Sequence, residues 1–275
     1  MMTFLFWNVS NNPVQRIIAE LAEEHEADVI ILVECDIKEA DLLYELNSRS
    51  EARYSSPSRR GRKTDIYTRF PARWLTPQAD TYGMSIQHFV DPIIDAKLLV
   101  VAVHLPSRLH QTDDGLSHLA ARWRSAIEEA EKKVGHSNTL LVGDLNMDPF
   151  HSGVVSSEGF HGTMDRRIAN RKTRTVLEED RLFFYNPMWS LFGDESDGPP
   201  GTFYYNASSE PVNYYWHMYD QVLLRPDLIP FFPNRELRIL THTGSDSMLT
   251  SSGRPDADSA SDHLPLLFKL DFPVI

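Results

Sequence analysis

The stretch Leu140-Leu141-Val142-Gly143-Asp144-Leu145-Asn146-Met147-Asp148-Pro149 decides how this chain is read. A run of apolar residues ends abruptly in two carboxylates and an amide, the pattern of a buried strand that delivers polar groups to a site. Thr139 to Val142 is short, branched and uncharged, as expected of a strand covered on both faces, and Gly143 lets the backbone pack closely before the turn. Asp144 and Asn146 stand two apart, so an extended backbone sends both side chains to the same side. A carboxylate and a carboxamide aimed together hold a water, a metal shell or a phosphate oxygen. Asp148-Pro149 then stops the strand, since proline has no amide hydrogen and restricts the residue before it. Taken alone, the string equally describes a strand followed by an Asp/Asn-rich turn, and the rest of the chain has to decide.

Working outward, the same hand-over recurs. Thr3 to Trp7 is a β-branched and aromatic strand that ends at Asn8. Asp28 to Val33 is almost continuously apolar and ends at Glu34, an acidic tip that is costly to bury unless paired or metal-bound. Lys97 to Val103 ends at His104. Tyr219 to Arg225 begins near Asp220, and Ser261-Asp262-His263 leads into a last strand, Leu264 to Leu270. Between them lie helical patterns. Asn12, Pro13 and Gln15 read as cap, first turn and capping box of a helix whose Val14, Ile17, Ile18, Leu21 and His25 share a face. Asp36 and Glu39 cap a second helix with Ala40, Leu43 and Leu46 inward. Asp113 to Val134 is a long helix with Leu116, Leu119, Ala120, Trp123, Ile127, Ala130 and Val134 in one stripe, closed by Gly135. Asp65 to Phe70, Arg73 to Leu75 and Met84 to Val90 alternate as short antiparallel strands. Leu237 to Thr241 is a further strand. Strand and helix in alternation indicate an α/β protein with helices outside the sheets.

The 275 residues are ample for a large core, and no linker, repeat or low-complexity block divides them, so residues 1–275 are read as one domain. The net charge of -12 excludes a protein that coats nucleic acid through bulk electrostatics, while leaving room for a local basic groove. Two clusters qualify: Arg59, Arg60, Arg62 and Lys63, then Arg166, Arg167, Arg171, Lys172 and Arg174. No stretch has the length of a membrane helix, and Thr3 to Trp7 lacks the flank of a signal peptide. The single cysteine, Cys35, forms no internal disulfide. A cytoplasmic location is expected.

Asn8, Glu34, His104, Asp144, Asn146, Asp220, Asp262 and His263 therefore all stand at strand termini. Each alone has an ordinary explanation as a cap, a turn residue or a satisfied histidine. Together they are what a hard-metal hydrolytic site requires. The strings Trp7-Asn8-Val9, Leu32-Val33-Glu34, Val103-His104-Leu105-Pro106, Gly143-Asp144-Leu145-Asn146, Tyr219-Asp220-Gln221-Val222 and Ser261-Asp262-His263, in that order, resemble the endonuclease/exonuclease/phosphatase superfamily, the deoxyribonuclease I fold.

The resemblance implies a four-layer αββα sandwich, an α/β (α+β) architecture with two facing mixed sheets and the site at one end of them. Position by position it makes Glu34 the principal ligand of Mg²⁺ (or Mn²⁺), with Asn8 and Asp262 near the ion. Asp144 orients and deprotonates the attacking water, and Asn146 holds phosphate oxygens. His263 donates to the phosphoryl group with its other nitrogen fixed by Asp220, and His104 is a second contact. Ser107, Arg59, Arg60, Arg166 and Arg171 are expected to bind substrate. The expected activity is Mg²⁺-dependent phosphodiester hydrolysis of DNA or RNA, with Phe183, Phe184, Tyr204, Tyr205, Tyr214, Tyr215 and Trp216 as stacking candidates. A phosphomonoesterase or phospholipid headgroup hydrolase is the alternative, and an inactive binding module a remote one. The chain departs from the family at Val33, where relatives usually carry glutamine, and in Asp65-Ile66-Tyr67-Thr68-Arg69-Phe70, which lacks their glycine. Thr202-Phe203-Tyr204 stands where tyrosyl-DNA phosphodiesterases have Thr-Trp-Asp, so that branch is not assigned.

Overall fold

Period-two alternation along the strands sorts the side chains into layers. In the strand Met2–Asn8, Met2, Phe4 and Phe6 enter one apolar core while Leu5 and Trp7 enter another. In Ala96–His104, Leu98, Val100 and Ala102 join that first core, whereas Leu99, Val101 and Val103 face a third. The first core lies between two sheets, and the other two lie under helices. The structure is a computed structural model that describes residues 1–49, 53–57, 63–209, 211–244 and 246–272.

One sheet has five strands, in the order Arg238–Ile239, Leu266–Leu270, Met2–Asn8, Val29–Val33 and Thr64–Thr68. The other has seven: Leu75–Thr81, Met84–Asp91, Ala96–His104, Thr139–Asp144, Asp220–Leu224, Phe184–Tyr185 and Gly162–Thr163. Both are mixed. Met2–Asn8 is parallel to Val29–Val33 through the helix Gln15–Glu24, and Ala96–His104 is parallel to Thr139–Asp144 through the helix Asp113–Val134. Ile18, Leu21, Leu42 and Leu46 of two helices cover one outer face, and Leu116, Ala120, Trp123 and Ile127 of the long helix cover the other. This is the expected αββα sandwich of two facing mixed sheets. No helix among the described residues is long and apolar enough to cross a membrane.

Local chemistry accounts for the boundaries. Thr112 caps the long helix by accepting from the Gly115 N–H, Asp113 and Asp114 occupy its first turn, Lys132 and Lys133 its last, and Gly135 closes it at φ 80°. Gly143 is required by close approach: a Cβ there would lie 1.9 Å from the Val103 carbonyl oxygen of the neighbouring strand. Several expectations need correction. Asn12 caps no helix; its amide instead donates to the carbonyls of Ala257 and Ala260, tying the first loop to the one that carries Asp262 and His263. Leu42, rather than Ala40, faces inward from the second helix. Ala72–Trp74 is a single 3₁₀ turn, and the strand that follows runs from Leu75 to Thr81, tolerating Pro77 because it is an edge strand with a register shift there.

A buried ion pair anchors the end of the seven-stranded sheet where Thr139 starts and Leu224 finishes. Arg225, fully buried, meets Glu131 through Nε at 2.9 Å and Nη2 at 3.2 Å, and donates from Nη1 to the carbonyls of Leu182 and Phe183. Thr139 Oγ1 donates to the same carboxylate at 2.6 Å. Removing one partner strands the other charge away from water, at a cost of about 3 to 5 kcal/mol. Glu131→Gln is therefore expected to lower urea-denaturation stability by about that amount, whereas Glu131→Leu with Arg225→Met recovers most of it. A loss under about 1 kcal/mol in the single variant would show that the pair is hydrated in solution.

Candidate active site

The inward parity that fills the central core continues into polar residues at one end of it. After Phe4 and Phe6 comes Asn8; after Val100 and Ala102, His104; after Leu140 and Val142, Asp144. Asp220 opens the antiparallel strand directly beside Asp144, with Val222 and Leu224 following it into the core. The two sheets meet there: Asn8 Nδ2, from one, donates to Asp144 Oδ2, from the other, at 3.0 Å. Glu34 follows Val33 with φ 48° and comes within 3.1 Å of His104 Nε2 and 3.5 Å of Asn8 Nδ2. His263 enters on the loop before the strand Leu266–Leu270, its carbonyl fixed by Trp7 Nε1 at 2.9 Å and its Nδ1 by Asp220 Oδ2 at 2.8 Å.

Asp144 is the most constrained group, only 1% exposed. Asn146 bends back to it, donating from its backbone N–H to Oδ1 at 2.8 Å and from Nδ2 to Oδ2 at 3.2 Å, and His263 Nε2 lies 4.0 Å from Oδ2. Burial raises the Asp144 carboxyl above the usual aspartate value, with the Asp220 charge adding to it, while His263, His104 and the Asn146 N–H hold it back. Burial by itself would lower His263, but the carboxylates of Asp220, Asp144 and Asp262 outweigh it, and the imidazole is pushed up to about 10. The hydrogen bond from His104 is the main cause holding Glu34 below the usual glutamate value. One ligand atom from each of Glu34, His104 and Asp144 lies within 4.8 Å of the others, so this cluster can hold a metal ion. It opens through Glu34 into a cavity of about 910 Å³.

The sequence between residues 5 and 263 matches the model of the endonuclease/exonuclease/phosphatase family. The chain belongs to that family. No curated protein matches it. Among solved structures, a family member from Bacteroides thetaiotaomicron superposes with a TM-score of 0.59 at 15% identity, covering 100% of this chain and 98% of its own. One from Leptotrichia buccalis gives 0.57 at 15% identity, with 99% and 100% covered. TDP2 from D. rerio, complexed with a single-strand DNA product, gives 0.54 at 15% identity, with 97% of each chain covered. At these identities the superpositions show the shared fold.

Against this endonuclease/exonuclease/phosphatase frame, the sequence-predicted residues divide. Asn8, Glu34, His104, Asp144, Asn146, Asp220 and His263 converge, and Asp262 and Ser107 line the same cavity. Asn8 Oδ1 accepts the Ser10 N–H, and its amide hydrogens face Asp144 and Glu34, so it positions two carboxylates. Asn146 reaches Asp144 through a left-handed turn at φ 48°, not along an extended strand, and its amide also holds the Leu105 carbonyl at 2.9 Å.

Arg166 and Arg171 are not at the site. Arg166 donates to the Phe232 carbonyl at 2.6 Å and lies over the ring of Tyr185, which pairs with Leu224 at the far end of the strand begun by Asp220, about 13 Å away. Arg171 lies on the surface just after the short helix Arg166–Ala169, beside Lys172, which is paired with Asp227. Arg59 and Arg60 lie outside the described residues, while Lys63 of their cluster lines the cavity. Among the stacking candidates, Phe183 and Phe184 are core residues.

Sequence reasoning missed Phe203 as a neighbour of the site, its ring 4.7 Å from that of His263. It also missed Asp148, wholly buried and paired with His217 Nδ1 at 2.8 Å. The signal was present, since Asp144, Asn146 and Asp148 are polar at every second position.

The raised pKa of His263 has a testable sign. Its folded value exceeds the unfolded value near 6.5, so its contribution to stability is complete below that pH and is lost as pH rises toward about 10. Denaturation midpoints should fall between pH 7 and 9.5, and Asp220→Asn should flatten that decline. An unchanged pH slope in the variant would show that Asp220 does not hold the proton on His263.

Proposed function

We propose that the protein is a Mg²⁺- or Mn²⁺-dependent phosphodiesterase that hydrolyses nucleic acid. The observation that carries this is the meeting of Glu34, His104, Asp144 and the His263–Asp220 pair at the mouth of one cavity. The donor set is hard oxygen with imidazole and contains no thiolate, which suits a small divalent cation. Glu34, one-third exposed, would hold it with Asp262, which lines the same cavity. When bound, such an ion neutralises charge on the phosphoryl oxygens and polarises the phosphorus centre.

The remaining roles belong to side chains. Asp144, lifted by burial, is a stronger proton acceptor than a surface carboxylate and takes the proton of the attacking water. Asn8 and Asn146 keep its oxygens aimed, so no reorganisation is needed when charge develops. His263, charged at neutral pH, donates from Nε2 to a phosphoryl oxygen while Asp220 fixes Nδ1. His104 offers a second imidazole beside the ion. Residues 1–275 form one domain, and Cys35, the single cysteine of the sequence, supports a cytoplasmic setting.

A phosphomonoesterase or phospholipid headgroup hydrolase is the second reading, favoured by the displacement of Arg166 and Arg171 from the site. Nucleic acid is preferred because exposed Phe150, Tyr205, Tyr214 and Tyr215 surround the segments that carry Asn146, Phe203 and His217, and because D. rerio TDP2 carries a single-strand DNA product on this fold.

Hydrolysis of DNA, RNA and a simple phosphomonoester should be compared with Mg²⁺, Mn²⁺ and chelator. The oligonucleotide should be cleaved, chelator should abolish turnover, and Glu34→Ala should lower kcat by at least about 10³ while removing the Mg²⁺-dependent rise in Tm. Undiminished Mg²⁺ stabilisation of Glu34→Ala would displace the metal from Glu34, and turnover of the phosphomonoester alone would favour the second reading.

A further inference from the structure

Beside the catalytic cavity, two N–H donors converge on the ring nitrogens of one histidine. Arg108 Nη1 lies 3.0 Å from His151 Nε2. On the other side of the ring, His151 Nδ1 is 2.8 Å from the backbone N–H of Asp148, a group that only donates. The acceptors of Asp148 are farther from Nδ1, its carbonyl at 3.3 Å and its carboxylate at 3.9 Å. A neutral imidazole that accepts at Nδ1 carries its hydrogen at Nε2, and burial holds His151 below the ordinary histidine value. A neutral imidazole has one acceptor nitrogen, so the Asp148 N–H and the Arg108 guanidinium compete for it, and an anionic oxygen placed against Arg108 and the ring N–H would relieve the competition. Arg108 Nη2 is held by Asp113 at 2.7 Å, which fixes the guanidinium from behind.

The rings around this pair are continuous with it. Phe150 stacks on His151 at 4.8 Å, and Tyr214 lies 5.6 Å from Phe150. Both rings are open to solvent, at 37% and 55%. Tyr214 in turn meets His217 edge-on at 6.0 Å, and His217 is fixed by the carboxylate of Asp148 at 2.8 Å. Asp148 thus sets both imidazoles, one through its backbone and one through its side chain. The neighbours of Arg108 in the chain, Ser107, Leu109 and His110, line the catalytic cavity, so the pair stands next to its rim.

We propose that Arg108, His151, Phe150 and Tyr214 form a subsite for the nucleotide next to the scissile phosphate, its phosphate on the two nitrogen donors and its base against the two exposed rings. This rests on the phosphodiesterase reading and makes the substrate a single strand, because a duplex keeps its base faces stacked on one another and unavailable to these rings.

The test compares a single-stranded oligonucleotide with a mononucleotide p-nitrophenyl ester, which ends before the subsite, using the full chain with Mg²⁺. Arg108→Ala should raise KM about tenfold more for the oligonucleotide than for the ester. It should also reduce the slope of log KM against log salt by about 0.7, one phosphate contact on a single strand. His151→Asn, which keeps an acceptor for the Asp148 N–H and removes Nε2–H, should shift KM in the same direction and thereby separates binding from turn geometry. Tyr214→Ala, on an exposed ring, should raise the oligonucleotide KM about tenfold through lost stacking. Equal changes on both substrates, or an unaltered salt slope in Arg108→Ala, overturn the subsite and leave the phosphodiesterase reading standing. A wild-type protein that cleaves neither substrate overturns both.

Discussion

A carboxylate sealed in the seam between two sheets governs much of this molecule. Asp144 has almost no contact with water, and a buried charge left alone costs several kcal/mol. Its partners come from both halves of the sandwich. Asn8 reaches across from the five-stranded sheet, Asn146 folds back from the next turn, and His263 and His104 bring imidazoles close. These groups do for the polar end of the seam what Phe4, Phe268 and Val142 do for the apolar remainder: they join the layers. Because polar pairing is directional and apolar packing is not, the register of the sheets is most tightly specified at the end that holds the candidate site.

The sequence is most readable where one physical rule acts without competition. The strand Thr139–Asp144 and the helix Asp113–Val134 can be placed to the residue, since branched apolar runs, a threonine cap and a closing glycine all agree. Polar residues at strand ends are equally visible, and parity brings four of them together. What the string does not carry is the path of the chain after a strand stops. Asn146 meets Asp144 through a turn in the left-handed region, and Asn12, with every mark of a helix cap, is claimed by carbonyls more than 240 positions later. The arginine-rich loop is the clearest case. Its composition suggests a grip on phosphate, yet its place in the fold is beside Phe232 and Tyr185, where Arg166 serves packing.

Four left-handed residues stand beside the same seam. Ser10, Asn11, Glu34 and Asn146 all have φ between 48° and 59°, a region that non-glycine residues enter at a cost of about 1 to 3 kcal/mol each. Asparagine tolerates it best, and Glu34 has no such excuse. Its geometry is sustained by the Asn11 N–H on its carbonyl at 2.7 Å and by His104 on its carboxylate. The turn after Val33 aims a long acidic side chain into the cavity, where an extended continuation would have alternated it away from the inward face.

The desolvated carboxylates have a consequence for anyone evolving this scaffold. Asp144, Asp220 and the imidazoles and amides that face them give up water together, so only joint replacement of the whole cluster by apolar residues of similar volume would relieve that penalty. A library screened only for heat resistance would drift toward such joint replacements and lose the polar cluster of the candidate site. Directed evolution on this chain therefore has to hold those positions fixed, with thermal tolerance sought instead around the helices that cover the outer faces.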